Sequence, residues 1–413
     1  MERGLKGVVL PAGSALEDVG TFGWNALTDL ETPVMLLHAD ALEHNIATMD
    51  RFVRETGVLL APHSKTSLSR QIVSAQLAGG AWGITAATVG QVRSLHSWGV
   101  PRIVLANVVA DLRAIEWLAT TVLAPEDTTE LWCYVDSVAG VELLDRALDE
   151  LGARRQLHVL LERGYAGGRT GARSREEARA TAEAARRSTR LVLSGVAGFE
   201  GLLNRDPDAA HPAGLLPFLD ELAQTARELL ADGLFEIGDP ILSAGGSSYF
   251  DAVCDRLGPK ALGPPFRTVL RSGCYVTHDH GMYHRSSPFD ERRASADAPT
   301  LRPALELLAR VLSTPEPDLA IVDFGRRDVP TDDQLPVLLG RYEDGVRVPL
   351  EPVVVVRLND QHAHLRMPGT HDLAPGDLLS FGISHPCGAF DRWRALPLVD
   401  ADHRVVGVVT TDM

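Results

Sequence analysis

The sequence predicts an α/β chain, a (β/α)8 barrel of the TIM type followed by a C-terminal antiparallel β domain. Three observations carry this. Eight apolar runs alternate with helical segments between residues 34 and 248. These runs are leucine-rich or β-branched and do not alternate with polar residues, which suits parallel strands buried on both faces. Beyond residue 265 the helical spacing fades, prolines rise and short β-type runs take over. No GxGxxG turn follows the first run, so an open dinucleotide-binding sheet is disfavoured.

In order, the expected barrel strands are 34–38 (VMLLH), 57–65, 83–88, 102–107, 131–136, 157–163, 191–201 and 241–248. Segments such as ADALEHNIATMDRFVRET and SREEARATAEAARRS lie between them, with helical spacing and one charged face. Ser174 ahead of Glu177 reads as a capping box opening one such helix. The β domain is expected from TVLRSGCYVTHD, LAIVDFG, EPVVVVRL, DLLSFGIS and VVGVVTT. This divides the chain into a barrel over 30–265 and a β domain over 266–413, joined by residues 1–29. The polar stretch 284–303 reads as an exposed loop.

Composition excludes several function classes. Of 413 residues, 40 are basic and 55 acidic, a net charge of −15. Nucleic acid and anionic membrane surfaces both require a basic face. No run approaches the roughly 18 apolar residues of a membrane span, and the N-terminal apolar run is too short for a signal peptide. Cys133, Cys254, Cys274 and Cys387 are scattered with no CxxC pair, so a reducing cytoplasm is expected rather than a disulfide framework.

A barrel of this kind places its active site at the C-terminal strand ends. Those ends carry His63, Lys65, Thr88, Asn107, Asp136, Arg169, Glu200 and Gly245-Gly246-Ser247-Ser248. The glycine-serine turn can cradle a phosphate or be a plain strand-to-helix turn. Lys65 has no acidic neighbour in sequence and is one of three lysines in the chain, with Lys6 and Lys260. It reads either as a solvated loop residue or as an amine able to form a Schiff base. Arg169, in YAGGRTG, is either a turn residue or a guanidinium on the same rim. In the β domain, His385 and Cys387 share a face of an extended segment and can converge on a soft ion such as zinc; the alternative is a half-buried histidine beside an inert cysteine. Cys274, His278, His280 and His284 form a looser rival cluster.

The segment PHSKTSLSRQIVSAQLAGGAWGITAATVGQ resembles the lysine-bearing segment of the D-threonine aldolase and D-serine dehydratase family, fold-type III pyridoxal-phosphate enzymes. The likeness continues through TPVMLLHADALEHNI, GGRTG, GVAGFEG, SAGGSSYFD, LRSGCYV and FGISHPCGAFDRWRALPLVD. It implies pyridoxal 5'-phosphate on Lys65 with His63 beside it, and Arg169 at the pyridine nitrogen. It further implies Gly245, Gly246, Ser247 and Ser248 at the phosphate, and Thr88 and Tyr275 lining the pocket. His385 and Cys387 become ligands of a divalent metal that meets the substrate's β-hydroxyl, and the assembly a homodimer.

Within that family, aldolases resemble His-x-Asp at the metal pair, with manganese, and dehydratases His-x-Cys, with zinc. Three departures bear on the substrate: Ala363 after NDQH where relatives often have glycine, a serine rather than threonine cradle, and DFGRRDVPTDD in place of an alanine-glycine segment. The expected activity is dehydration and deamination of a small D-β-hydroxy amino acid to a 2-oxo acid and ammonia. The alternatives are retro-aldol cleavage to glycine and an aldehyde, a racemase, and a non-catalytic pyridoxal-phosphate-binding protein.

Overall fold

The computed structural model describes residues 4–203, 212–292, 297–350, 352–369 and 371–413. Eight parallel strands form one sheet: Leu59–Leu60, Ile84–Ala86, Arg102–Val108, Glu130–Val135, Leu157–Arg163, Leu191–Gly198, Ile241–Ala244 and Arg267–Leu270. Leu59–Leu60 pairs in parallel with Arg267–Leu270. On its other side Trp82 donates its amide to Leu60 at 2.8 Å, and a parallel bridge joins His63 to Thr85, so the sheet closes on itself. Its interior is filled by Ala61, Val104, Trp132, Tyr134, Leu160, Ala197, Ile241 and Val269, the inward set of successive strands that makes such a barrel a packed core.

Two strands sit elsewhere than the sequence suggests. Val34–His38 is not a barrel strand. It pairs antiparallel with Leu305–Glu316 and parallel with Ala395–Val399 in the second sheet. Met35 and Leu37 bury one face in the main core and Val34 and Leu36 bury the other in a second cluster, so it carries the same unalternating apolar pattern as a barrel strand. The eighth barrel strand is instead Arg267–Leu270, which the sequence reading gave to the β domain. Both expected boundaries, at 30 and 266, therefore separate a strand from its sheet, and Gly245-Gly246-Ser247 follows the seventh strand rather than the eighth.

The second sheet is antiparallel apart from that one pair, with Leu319–Val322, Val337–Glu343, Val354–Leu358, Ala363–Arg366 and Leu378–Gly382 among its strands. The helix Ala39–Thr56 leads from this sheet into the barrel, burying Ala41, Leu42, Met49 and Val53 and ending at Gly57 with φ 72°. Asn45 on its buried face accepts the Arg302 amide at 2.8 Å and donates to the carbonyls of Arg302 and Val276. This one side chain pins the helix to the segment that returns from the barrel. The stretch 284–303 is only partly the exposed loop expected. Met282–Ser286 is helical, and Ser287, Phe289 and Leu301 are buried, Phe289 packing edge-on against Phe52 and Phe250. Residues 293–296 lie outside the described residues.

Candidate active site

The C-terminal strand ends enclose a cavity of about 250 Å³. Of the expected residues, His63, Lys65, Asn107, Arg169, Gly245, Gly246 and Ser247 line it. Lys65 projects from the short turn Ser64–Thr66, entered through His63, whose Nδ1 accepts the Lys65 amide at 3.5 Å. Burial, then the charges of Lys65 and Arg271, hold the His63 imidazole well below its ordinary pKa, so it faces the cavity neutral. The turn bearing Arg169 is shaped from within. The Arg173 guanidinium donates to the carbonyls of Tyr165, Gly168, Arg169 and Thr170 at 2.7 to 3.1 Å, and Asp136 accepts the Gly171 amide at 3.2 Å. The Arg169 guanidinium then lies over the Phe199 ring at 5.0 Å.

Gly245 adopts φ +93°, and a Cβ there would meet a Leu270 methyl at 2.6 Å, so the turn requires glycine at that position. The amides of Gly245 and Gly246 are not open to the cavity as a phosphate cradle would have them. Glu200, fully buried beyond the sixth strand, accepts them at 3.2 and 2.6 Å. Ser247 is tied to the next loop by accepting the Cys274 amide at 3.2 Å.

Three expected residues lie away from the cavity. Thr88 caps the helix Val89–Ser97 by accepting the Gln91 amide at 3.2 Å, a local bond that turns its hydroxyl toward its own helix. Tyr275 is buried in the core, its hydroxyl accepting from Gln76 at 3.3 Å. The Ser248 hydroxyl pairs with that of Ser286 at 2.9 Å.

Other lining residues escaped the sequence reading. Arg271, just past the eighth strand, donates to Ser243 Oγ and the Gly198 carbonyl, each at 2.6 Å. The same rule of strand ends would have found it, had its strand been placed in the barrel. Glu162, closing the apolar run LHVLLER, has its carboxyl raised by burial, opposed by a hydrogen bond from Thr170. Burial pushes the Tyr134 phenol up to about 12. Among the described residues, Tyr134 Oη and Glu162 Oε2 are buried with no hydrogen-bond partner. Tyr283, on a short helix with no sequence signature, completes the wall.

These features fit a phosphorylated, aromatic carbonyl cofactor: an amine at the mouth, three cationic side chains around one cavity, and buried polar atoms still to be satisfied.

At the cavity edge, His385 and Cys387 do converge, and Cys274 joins them. One ligand atom from each lies within 4.8 Å of the other two. The two sulfurs are 3.5 Å apart, and Thr66 Oγ1 reaches Cys274 and Cys387 at 3.4 and 3.5 Å. Asp332 binds His385 Nδ1, and the imidazole's other hydrogen-bond partner is Cys274. Thiols and imidazole together suit a soft divalent metal. The rival cluster does not assemble. His278 and His284 both bind Asp290, at 2.7 and 2.8 Å, while Cys274 turns away from them toward the other pair.

Comparison with known proteins agrees with this architecture. The family model "Alanine racemase, N-terminal domain" matches residues 37–280, more than half of the chain, and "Putative serine dehydratase domain" matches 304–399. The chain is 24% identical over 339 residues to 3-hydroxy-D-aspartate aldolase of Paracoccus denitrificans (strain Pd 1222), covering 81% of this chain and 80% of that one. Its fold resembles that of D-threonine aldolase from Filomicrobium marinum, with TM-score 0.76, 24% identity and coverage of 93% and 96%. It also resembles D-threo-3-hydroxyaspartate dehydratase from Delftia sp. HT23, with TM-score 0.70, 24% identity and coverage of 93% and 98%. A dehydratase of that name has been solved with a histidine replaced by alanine. It has also been solved in a metal-free form with alanine in place of a cysteine two positions further on.

Proposed function

For a chain that belongs to the fold-type III pyridoxal-phosphate enzymes, with an alanine racemase-type barrel and a serine dehydratase-type β domain, we propose a metal-assisted lyase. It dehydrates and deaminates a small D-configured β-hydroxy amino acid. The observation that carries this reading is the imidazole and thiol of His385 and Cys387 at the edge of the cavity that Lys65 enters. The same His-x-Cys spacing appears in the variants of the dehydratase of similar fold.

Lys65 would hold pyridoxal phosphate, with Ser247 beside its phosphate and Arg169 at its ring. The bound cofactor supplies an electron sink for charge developing at the substrate Cα. Lys65 Nζ then takes the Cα proton, and His63, held neutral, adds no competing charge beside it. His385 and Cys387 would hold zinc, whose Lewis acidity makes a hydroxyl a better leaving group. The Cα–H and Cβ–O bonds break, water leaves, and the resulting enamine is hydrolysed to a 2-oxo acid and ammonia. The proposal includes a homodimer and a reducing cytoplasmic setting, the latter supported by four free cysteines. Among the described residues no helix is long and apolar enough to cross a membrane.

A second reading, retro-aldol cleavage at the same site, is favoured by the aldolases that match most of the chain. The two separate on one assay. With D-threonine, pyridoxal phosphate and zinc, the expected products are 2-oxobutyrate and ammonia, lost on chelation. Glycine and acetaldehyde would establish the aldolase instead.

A further inference from the structure

We propose that Cys274 is a third protein ligand of the ion held by His385 and Cys387. The site is then Cys2His, with a single open position that takes an alcohol oxygen, the substrate's β-hydroxyl. This rests on the reading of His385 and Cys387 as a metal pair and adds to it a residue from the barrel side.

The geometry supports it in three ways. Two thiolates on one tetrahedral zinc, each about 2.3 Å from the ion, stand about 3.8 Å apart; the two sulfurs here are 3.5 Å apart, far beyond a disulfide bond. The three donors come from two segments distant in sequence: Cys274 from the turn after the eighth barrel strand, and His385 and Cys387 from either side of Pro386 in the β domain. Each is anchored independently. The Cys274 amide is bound to Ser247 Oγ, the His385 ring is oriented by Asp332, and Cys387 opens the short helix Cys387–Phe390. Thr66 Oγ1 lies within reach of both sulfurs, the position of an outer-shell donor that orients thiolates.

Chemistry follows from the donor count. Three protein ligands with one position left open is the arrangement of catalytic rather than structural zinc, and Cys2His is one of its known forms. Two thiolates balance the ion's two positive charges, so the site accepts a neutral hydroxyl without importing net charge into a cavity that already carries cations. The soft donors favour zinc over manganese or magnesium. Because Cys274 and Thr66 both line the cavity, the open position faces the substrate space.

The test is a count of sulfur ligands on zinc-loaded holoenzyme by X-ray absorption at the zinc edge. Two sulfurs at about 2.3 Å are expected in the wild type and one in Cys274→Ser. In chelator competition, Cys274→Ser should bind zinc more than 100-fold more weakly, beyond the roughly 10- to 100-fold that loss of an outer-shell partner costs. One sulfur in the wild type overturns the role of Cys274 and leaves the His385–Cys387 pair standing. Zinc bound with no sulfur removes the pair itself. The wild-type count needs no variant, so a Cys274→Ser protein that fails to fold does not spoil the test.

Discussion

Lys65 and Gly273 meet through the same residue, His63. The Lys65 amide rests on the His63 ring, and a Cβ at position 273 would lie 2.4 Å from the His63 carbonyl oxygen. Lys65→Ala should lose the visible absorbance of the bound cofactor and at least about 100-fold in turnover, the lower end of what a positioned base contributes; absorbance and product assay read both. Gly273→Ala should keep Lys65 yet displace the turn that carries it. Overpacking of this kind costs about 1–3 kcal/mol, and it should appear as weaker cofactor binding in a fluorescence titration together with a lowered Tm. Lys65 was legible in the sequence because lysine is scarce in this chain. Tyr283 was not, because a residue on a five-residue helix inside a turn-rich stretch has no periodicity to place it. Cys274 stands out in the sequence, but its partners in space do not. Nearness in sequence grouped it with His278 and His284, whereas Asp290 claims both imidazoles.

Elements were legible where their cause is local. The helix Arg175–Arg187 opens with the capping box read from Ser174 and Glu177, each side chain bonding back to the other's backbone amide. Ser174→Ala should therefore cost about 1 kcal/mol in urea unfolding. Strand assignment failed where the cause is not local. Val34–His38 and Arg267–Leu270 are both short apolar runs, and burial on two faces gives the same pattern whichever sheet supplies the neighbours. The barrel begins one strand later in the chain than the pattern predicts, so the glycine turn still falls at a strand end. Arg271 is not legible, because nothing in the run Arg267–Leu270 shows which sheet it joins.

At the scale of the whole molecule, the β domain is held around one buried carboxylate. Glu306 receives hydrogen bonds from Tyr342 at 2.8 Å and from Ser380, and it pairs with His38 at 2.6 Å and His403 at 3.6 Å. Burial alone would raise its pKa, but the bonds from His38, His403 and Ser380 hold it well below its ordinary 4.5. A depressed carboxyl contributes stability that is present above 4.5 and lost as pH falls toward its folded value. Tm should therefore drop on acidification below about 4.5, and the drop should be shallower in Glu306→Gln when followed by circular dichroism. His38 and Glu306 are separated by 268 residues, with the whole barrel between them. On a ribosome adding about 5–20 residues per second, that gap takes roughly 13–54 s to cross. Throughout that interval the Val34–His38 run has been made and its two neighbouring strands have not. A nascent chain that has released residue 270 but not residue 305 therefore holds every strand of the barrel alongside a bare apolar segment. That is the form of this protein on which a ribosome-associated chaperone would find something to grip.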